Sequence, residues 1–96
     1  MEKREDLKNV VLVSKKPLSS YIMAAKNTLE KYEDLIIKAR GKNIYVAINL
    51  AEVIKREGLK VKSPDGIVIG TERFKAKEDP EKEIAVSTVE IHLIKE

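Results

Sequence analysis

Two hydrophobic rhythms alternate along this chain and set the order of its elements. Asn9 to Val13 is an apolar, β-branched run too short for a helix, and it reads as a strand buried on both faces. Ser14-Lys15-Lys16-Pro17 stops it, and the proline suits the first turn of a helix. Leu18, Ile22, Ala25, Leu29 and Tyr32 then recur at alternating spacings of four and three, one amphipathic stripe. Glu33-Asp34 turns the chain into a second strand, Leu35 to Ala39. Lys38-Ala39-Arg40-Gly41-Lys42-Asn43 leads out of that strand into a helix over about residues 42–57, ended by Gly58.

After a short mixed stretch, Ser63-Pro64-Asp65-Gly66 signals a turn. Ile67-Val68-Ile69 opens a third strand that continues towards Ala76, and the polar segment Lys77–Glu83 turns it back. Ile84 to Ile94 is the fourth strand, with Val89, Ile91 and Leu93 on one face and Thr88, Glu90 and His92 on the other. The outer part of this hairpin (Arg73, Phe74, Lys75, Ala76, Lys77) is too polar for a core and reads as a projecting arm.

The order is β-α-β-α-β-β. It predicts an α+β two-layer sandwich: a four-stranded mixed sheet, two helices on one face and a long C-terminal hairpin. Residues 1–8 are polar and predicted flexible; residues 9–96 form one domain. The first strand, helix and second strand make a βαβ unit with a right-handed crossover. Its two strand-to-helix turns therefore lie at the same end of the sheet, which brings Lys15, Lys16, Arg40 and Lys42 towards one another beside two helix N-termini. Such termini present free N–H groups to anions. The second helix carries apolar residues well beyond the ~100° stripe that a sheet-packed helix needs. Its surplus face (Val46, Leu50, Val53) calls for a partner, either a second copy of the chain or the loop and hairpin.

Charge sharpens this picture. The net charge is only +3, but residues 14–56 hold nine Lys/Arg against four Asp/Glu, and residues 57–96 hold seven against nine. The positive excess lies around the two turns, where it marks either a polyanion-binding patch or a solvated face. Tyr21, near the turns, either stacks on an unpaired base or packs on the sheet; Phe74 is either a stacking residue or a dimer contact.

Other classes are thinly supported. The chain has no cysteine and one histidine, so no thiolate or histidine metal site is expected; His92 reads as a surface residue. No glycine-rich phosphate loop or nucleophile elbow occurs, and Glu33-Asp34 and Glu78-Asp79 read as solvated charge, so neither an enzyme nor a cofactor is expected. A small-molecule anion site at the two helix N-termini is the remaining alternative. No apolar run nears the ~20 residues of a membrane span. The polar start, Met1 to Asp6, is not followed by the apolar core of a signal peptide. A reducing cytoplasm, without membrane contact, is the expected setting.

Taken together, Asn9-Val10-Val11-Leu12, Lys15-Lys16-Pro17, Tyr21, Ile36-Ile37-Lys38-Ala39-Arg40-Gly41-Lys42 and Val86-Ser87-Thr88-Val89-Glu90-Ile91 resemble the Alba family of archaeal chromatin proteins. The match spans nearly the whole chain. The resemblance implies the fold of the C-terminal domain of bacterial translation initiation factor three. It also implies a dimer, homomeric or with a paralogue, that binds double-stranded DNA and RNA with little sequence preference, condenses DNA and associates with the nucleoid. A further family role is as an RNA-binding subunit of RNase P-type or other ribonucleoprotein particles. By resemblance, Lys15, Lys16, Tyr21, Arg40, Lys42 and Asn43 contact nucleic acid, and Arg73, Lys75 and Lys77 lie on the hairpin that follows the minor groove. Lys15 matches a lysine that an acetylase and a deacetylase modify, and Val46, Leu50, Val53 and Phe74 are assigned to the dimer interface. The chain departs from the family pattern in three places. Gly58 stands where an aromatic supports side-by-side packing of dimers, Ser14 replaces a glycine, and Pro64-Asp65-Gly66 interrupts the third strand, predicting a shortened or bulged start.

Overall fold

The computed structural model describes residues 9–57 and 60–96. The expected flexibility of residues 1–8, and the helix end and packing consequence assigned to Gly58, lie outside the described residues. The elements are β1 (Val10–Leu12), α1 (Leu18–Lys31), β2 (Asp34–Arg40), a 3-10 turn (Gly41–Asn43), α2 (Ile44–Arg56), β3 (Val61–Lys62), β4 (Ile67–Lys75) and β5 (Glu83–Lys95).

β1 and β2 pair in parallel, with Val10 opposite Ile36 and Leu12 opposite Lys38. β5 runs antiparallel to β2 from Ile94 opposite Asp34 to Thr88 opposite Arg40. On its other edge β5 pairs first with β3 and then with β4. The architecture is thus the expected α+β sandwich with a fifth strand. β3 has only two residues, too few to carry an alternation that sequence can reveal. It and β4 form one interrupted strand: residues 63–66 lie opposite His92 and Leu93, a two-residue bulge. Gly66, at φ +65°, supplies the left-handed backbone of that bulge.

Leu35, Ile37 and Ala39 on β2, and Val89, Ile91 and Leu93 on β5, point at the helices and are buried. Tyr21, Ala25 and Leu29 of α1 and Ala47, Leu50, Ala51 and Ile54 of α2 close the core over them. Each fully buried aliphatic side chain contributes roughly 1.5–3 kcal/mol. Both helices lie on one face, so the expectation that the first strand is buried on both faces is corrected: Leu12 is exposed, and on β2 the outward Ile36 and Lys38 are half-buried. α2 packs against α1 as well as against β2 and β5, so its wide apolar face is largely used within the chain.

β5 outlives its partner β2. Past Thr88, only β4 accompanies it, from the Thr71–Ser87 pair to the Lys75–Glu83 pair. That leaves a two-stranded ribbon roughly 17 Å long at ~3.4 Å per residue. All of β4 is exposed, further back than the expected arm of residues 73–77, within which Ala76 is buried and donates its N–H to the Lys82 carbonyl. No helix among the described residues is long and apolar enough to cross a membrane.

Candidate nucleic-acid interface

Parallel pairing of β1 and β2 places both strand exits at one end of the sheet. Val13 N–H donates to the Lys38 carbonyl at 2.9 Å, holding the first exit against the second. Ser14, Arg40 and Asn43 line one shallow surface depression together with Leu12, Lys38 and Glu72. Gly41, at φ +59°, makes the second corner possible, since a side chain there would be strained.

Neither helix that starts here has a side-chain cap: Pro17 precedes α1, and Asn43 precedes α2 without capping it. Neither has an acidic residue in its first turn. Ser20 N–H donates to the Pro17 carbonyl and Ile44 N–H to the Gly41 carbonyl, which leaves the other first-turn donors and the positive dipole ends to the corner. Lys15, Lys16 and Lys42 are exposed around it, and Asn43 is half-buried. Among the described residues, no carboxylate forms an ion pair with these three lysines.

The remaining cations of the motif have partners. Lys38 Nζ lies 3.3 Å from Glu90 Oε2 across the β2–β5 pair. Arg40 Nη1 donates to Glu72 Oε1 at 2.5 Å, and its guanidinium lies over the Phe74 ring, 5.9 Å from the centroid. On the arm, Lys75 and Lys77 are exposed and Arg73 faces Glu83 at 3.8 Å.

Two sequence assignments change. Tyr21 is only 5% exposed, so its ring is part of the core and cannot stack on a base. Its hydroxyl instead accepts the backbone N–H groups of Ser14, at 2.6 Å, and Lys16, at 3.0 Å. Leu50 is fully buried within the chain and cannot line an external surface, because α2 turns it into the core beneath its own sheet and α1. Val46 and Val53 remain half-buried. Phe74, 41% exposed, lies beneath Arg40.

The apolar surface left over lies beside Leu50 rather than on it. Tyr45 and Ile48 on α2 and Ile67 and Ile69 on β4 are exposed. Ile48, Ala51, Ile67 and Ile91 line a common depression, joining helix and strand into one strip. Ile67 and Ile69 pair with the inward-facing Ile91 and Val89, so they lie on the helix side of the sheet.

A second polar cluster went unread in the sequence. Asp34 accepts from Asn9 Nδ2 at 3.0 Å and from His92 Nε2 at 2.7 Å, tying the starts of β1 and β2 to β5. His92 is thus a half-buried, partnered residue, and Asp34 is a strand residue with two partners rather than solvated turn charge. The His92 hydrogen bond is the chief reason its carboxyl is held below the usual range; partial burial opposes this and the Asn9 hydrogen bond adds to it.

Fold and corner define a class: a small α+β domain that gathers cations and two uncapped helix starts at one end of its sheet. The sequence model of the Alba family matches residues 9–69. The chain is 41% identical over 86 residues to the DNA/RNA-binding protein Alba of Methanocella arvoryzae, covering 88% of each chain. It is 36% identical over 87 residues to the protein of the same name from Nanoarchaeum equitans, covering 88% of this chain and 96% of that one. Among solved structures, Alba from Thermoplasma volcanium superposes with a TM-score of 0.77 at 30% identity, over 91% of this chain and all of that one. The chain belongs to the Alba family.

Proposed function

We propose that this protein is a low-specificity nucleic-acid-binding chromatin protein. As a dimer it binds double-stranded DNA, and also RNA, through phosphate contacts, and so coats or compacts the chromosome in the cytoplasm. The observation that carries this reading is the juxtaposition of the two strand-to-helix corners. Lys15, Lys16 and Lys42 surround two uncapped helix starts there, with Arg40 at the rim. The names of the Methanocella and Nanoarchaeum relatives agree with it.

Each element has a physical task. Lysines supply mobile point charges and Arg40 a planar fork suited to phosphate. Asn43 and the helix N–H groups complete a phosphate's hydrogen bonds. Neutralised phosphates release counterions, which drives binding and makes it salt-dependent. The proposed contacts, all from described residues, are to phosphate and the minor groove and carry little base information, so sequence preference is low. Arg73, Lys75 and Lys77 on the arm reach phosphates or a narrow minor groove beyond the corner. A second copy covers the strip of Tyr45, Ile48, Ile67 and Ile69, giving the dimer that doubles the cationic corner. Lys15 is exposed, so acetylation at that position is sterically open and would remove one charge per subunit.

Equilibrium titration against duplex DNA, duplex RNA and a mononucleotide at two salt concentrations tests the reading. The expected result is tight, steeply salt-dependent binding of both duplexes and weak binding of the mononucleotide. No duplex binding at low salt would refute it.

A further inference from the structure

We propose that Glu72 is a specificity-determining residue. It is an internal stand-in for phosphate that holds the Arg40 fork in the free protein and releases it to a dense polyanion more readily than to a lone phosphate. This rests on the nucleic-acid reading above.

The geometry is consistent on every point. Arg40 closes β2 and pairs with Thr88 of β5, which pairs in turn with Gly70 of β4. Glu72 and Phe74 follow Gly70 at alternate positions, so all three lie on one face of β4. That face is the helix-free one, the same face that Arg40 occupies. The Arg40 side chain therefore spans β5 to reach them. Its Nη1 donates to Glu72 at 2.5 Å, while the guanidinium covers the Phe74 ring. Glu72 also lines the depression shared by Ser14, Arg40 and Asn43. The carboxylate thus sits inside the corner assigned to phosphate, and not out along the arm. Among the described residues, the other acidic groups on this face of the sheet are engaged elsewhere, Glu90 by Lys38 and Asp34 by Asn9 and His92.

A carboxylate and a phosphate compete for the same bidentate donor. The Arg40 and Glu72 side chains are 61% and 54% exposed. Exposed pairs of this kind shift an equilibrium by no more than about fivefold. A lone phosphate must break the pair unaided and then face the freed charge of Glu72. A duplex already anchored by the lysines presents a phosphate to Arg40 at high effective concentration, so it displaces Glu72 where a dilute lone phosphate does not, and it also stays bound while the pair is closed. Glu72 therefore weakens binding of small phosphates more than binding of duplexes.

The test compares the parent protein with Glu72→Gln, Arg40→Gln, the double variant, and Glu57→Gln. Glu57 pairs with Lys26 at the far end of α2, so its variant carries the same charge change away from the corner. Each is titrated with a DNA duplex and with a mononucleotide at low salt. The expected result is that Glu72→Gln tightens duplex binding about threefold and mononucleotide binding by a larger factor. Both gains should vanish in the Arg40→Gln background and exceed those of Glu57→Gln. Gains equal to those of Glu57→Gln, or persisting without Arg40, would overturn the role of Glu72. A parent protein that fails to bind the duplex at all would instead refute the nucleic-acid reading itself.

Discussion

The Tyr21 hydroxyl accepts the backbone N–H of Lys16 at 3.0 Å, fixing the lysine turn from beneath. The same oxygen accepts from Ser14, so one buried phenol organises three residues of the first corner without reaching its surface. Tyr21→Phe keeps the ring packing and removes both hydrogen bonds. The expected cost is about 1–3 kcal/mol of stability, since two backbone donors lose their acceptor. Duplex affinity should fall several-fold although Phe carries the same charge. Denaturant unfolding and the amide chemical shifts of Ser14 and Lys16 check both points.

Lysine charge acts additively through counterions. Lys15→Gln, an imitation of the acetylated side chain, should lower duplex affinity and reduce the log–log salt slope by about 0.9 for each phosphate that is no longer neutralised. Sequence preference should not change, because phosphate contacts carry no base information. Binding isotherms on two unrelated duplexes over a salt series measure both effects.

The apolar strip and the core respond differently to substitution. Ile48→Glu or Ile67→Glu places charge on a surface already exposed, so the monomer fold should survive while self-association is abolished. Leu50→Ala should cost about 2–5 kcal/mol, because it opens a cavity inside the single chain. Sedimentation velocity and thermal unfolding separate the two outcomes.

Acid should act through Asp34. Its folded-state carboxyl titrates below the ordinary 3.8, held down first by the His92 hydrogen bond. A depressed value stabilises the fold above the unfolded pKa, and that stability disappears as pH falls through the folded value. The parent should therefore lose stability below about pH 4. Asp34→Asn should be less stable at neutral pH and lose less over the acid range. Urea unfolding midpoints at several pH values check this; the side chain is a third exposed, so the effect is modest.

Much of this is readable along the chain. The apolar runs mark β1 and β2, the four-and-three stripe marks α1, and the parallel crossover brings the two lysine-bearing corners together. What escapes depends on partners far away in sequence. β3 exists only through Lys95 and Ile94, and Asp34 finds His92 fifty-eight positions on. Glu72 meets Arg40 thirty-two residues back, across an intervening strand. A helical wheel locates the wide apolar face of α2 but not the neighbour that covers it. Leu50 therefore reads as outward-facing when α1 and the sheet enclose it. Spacing places Tyr21 correctly near the corner; which end of the phenol faces outward is a matter of packing depth, which spacing does not encode.

If the paired corners are the phosphate-binding surface, they must set the salt dependence of duplex affinity. That dependence is to be measured for the parent and for a Lys15→Gln, Lys16→Gln, Arg40→Gln, Lys42→Gln variant. All four residues are exposed, so the variant should fold. The log–log slope should fall by about 0.9 for each phosphate that the variant leaves unneutralised, with affinity near background at moderate salt. An unchanged slope and affinity in a folded variant would rule the corners out as that surface.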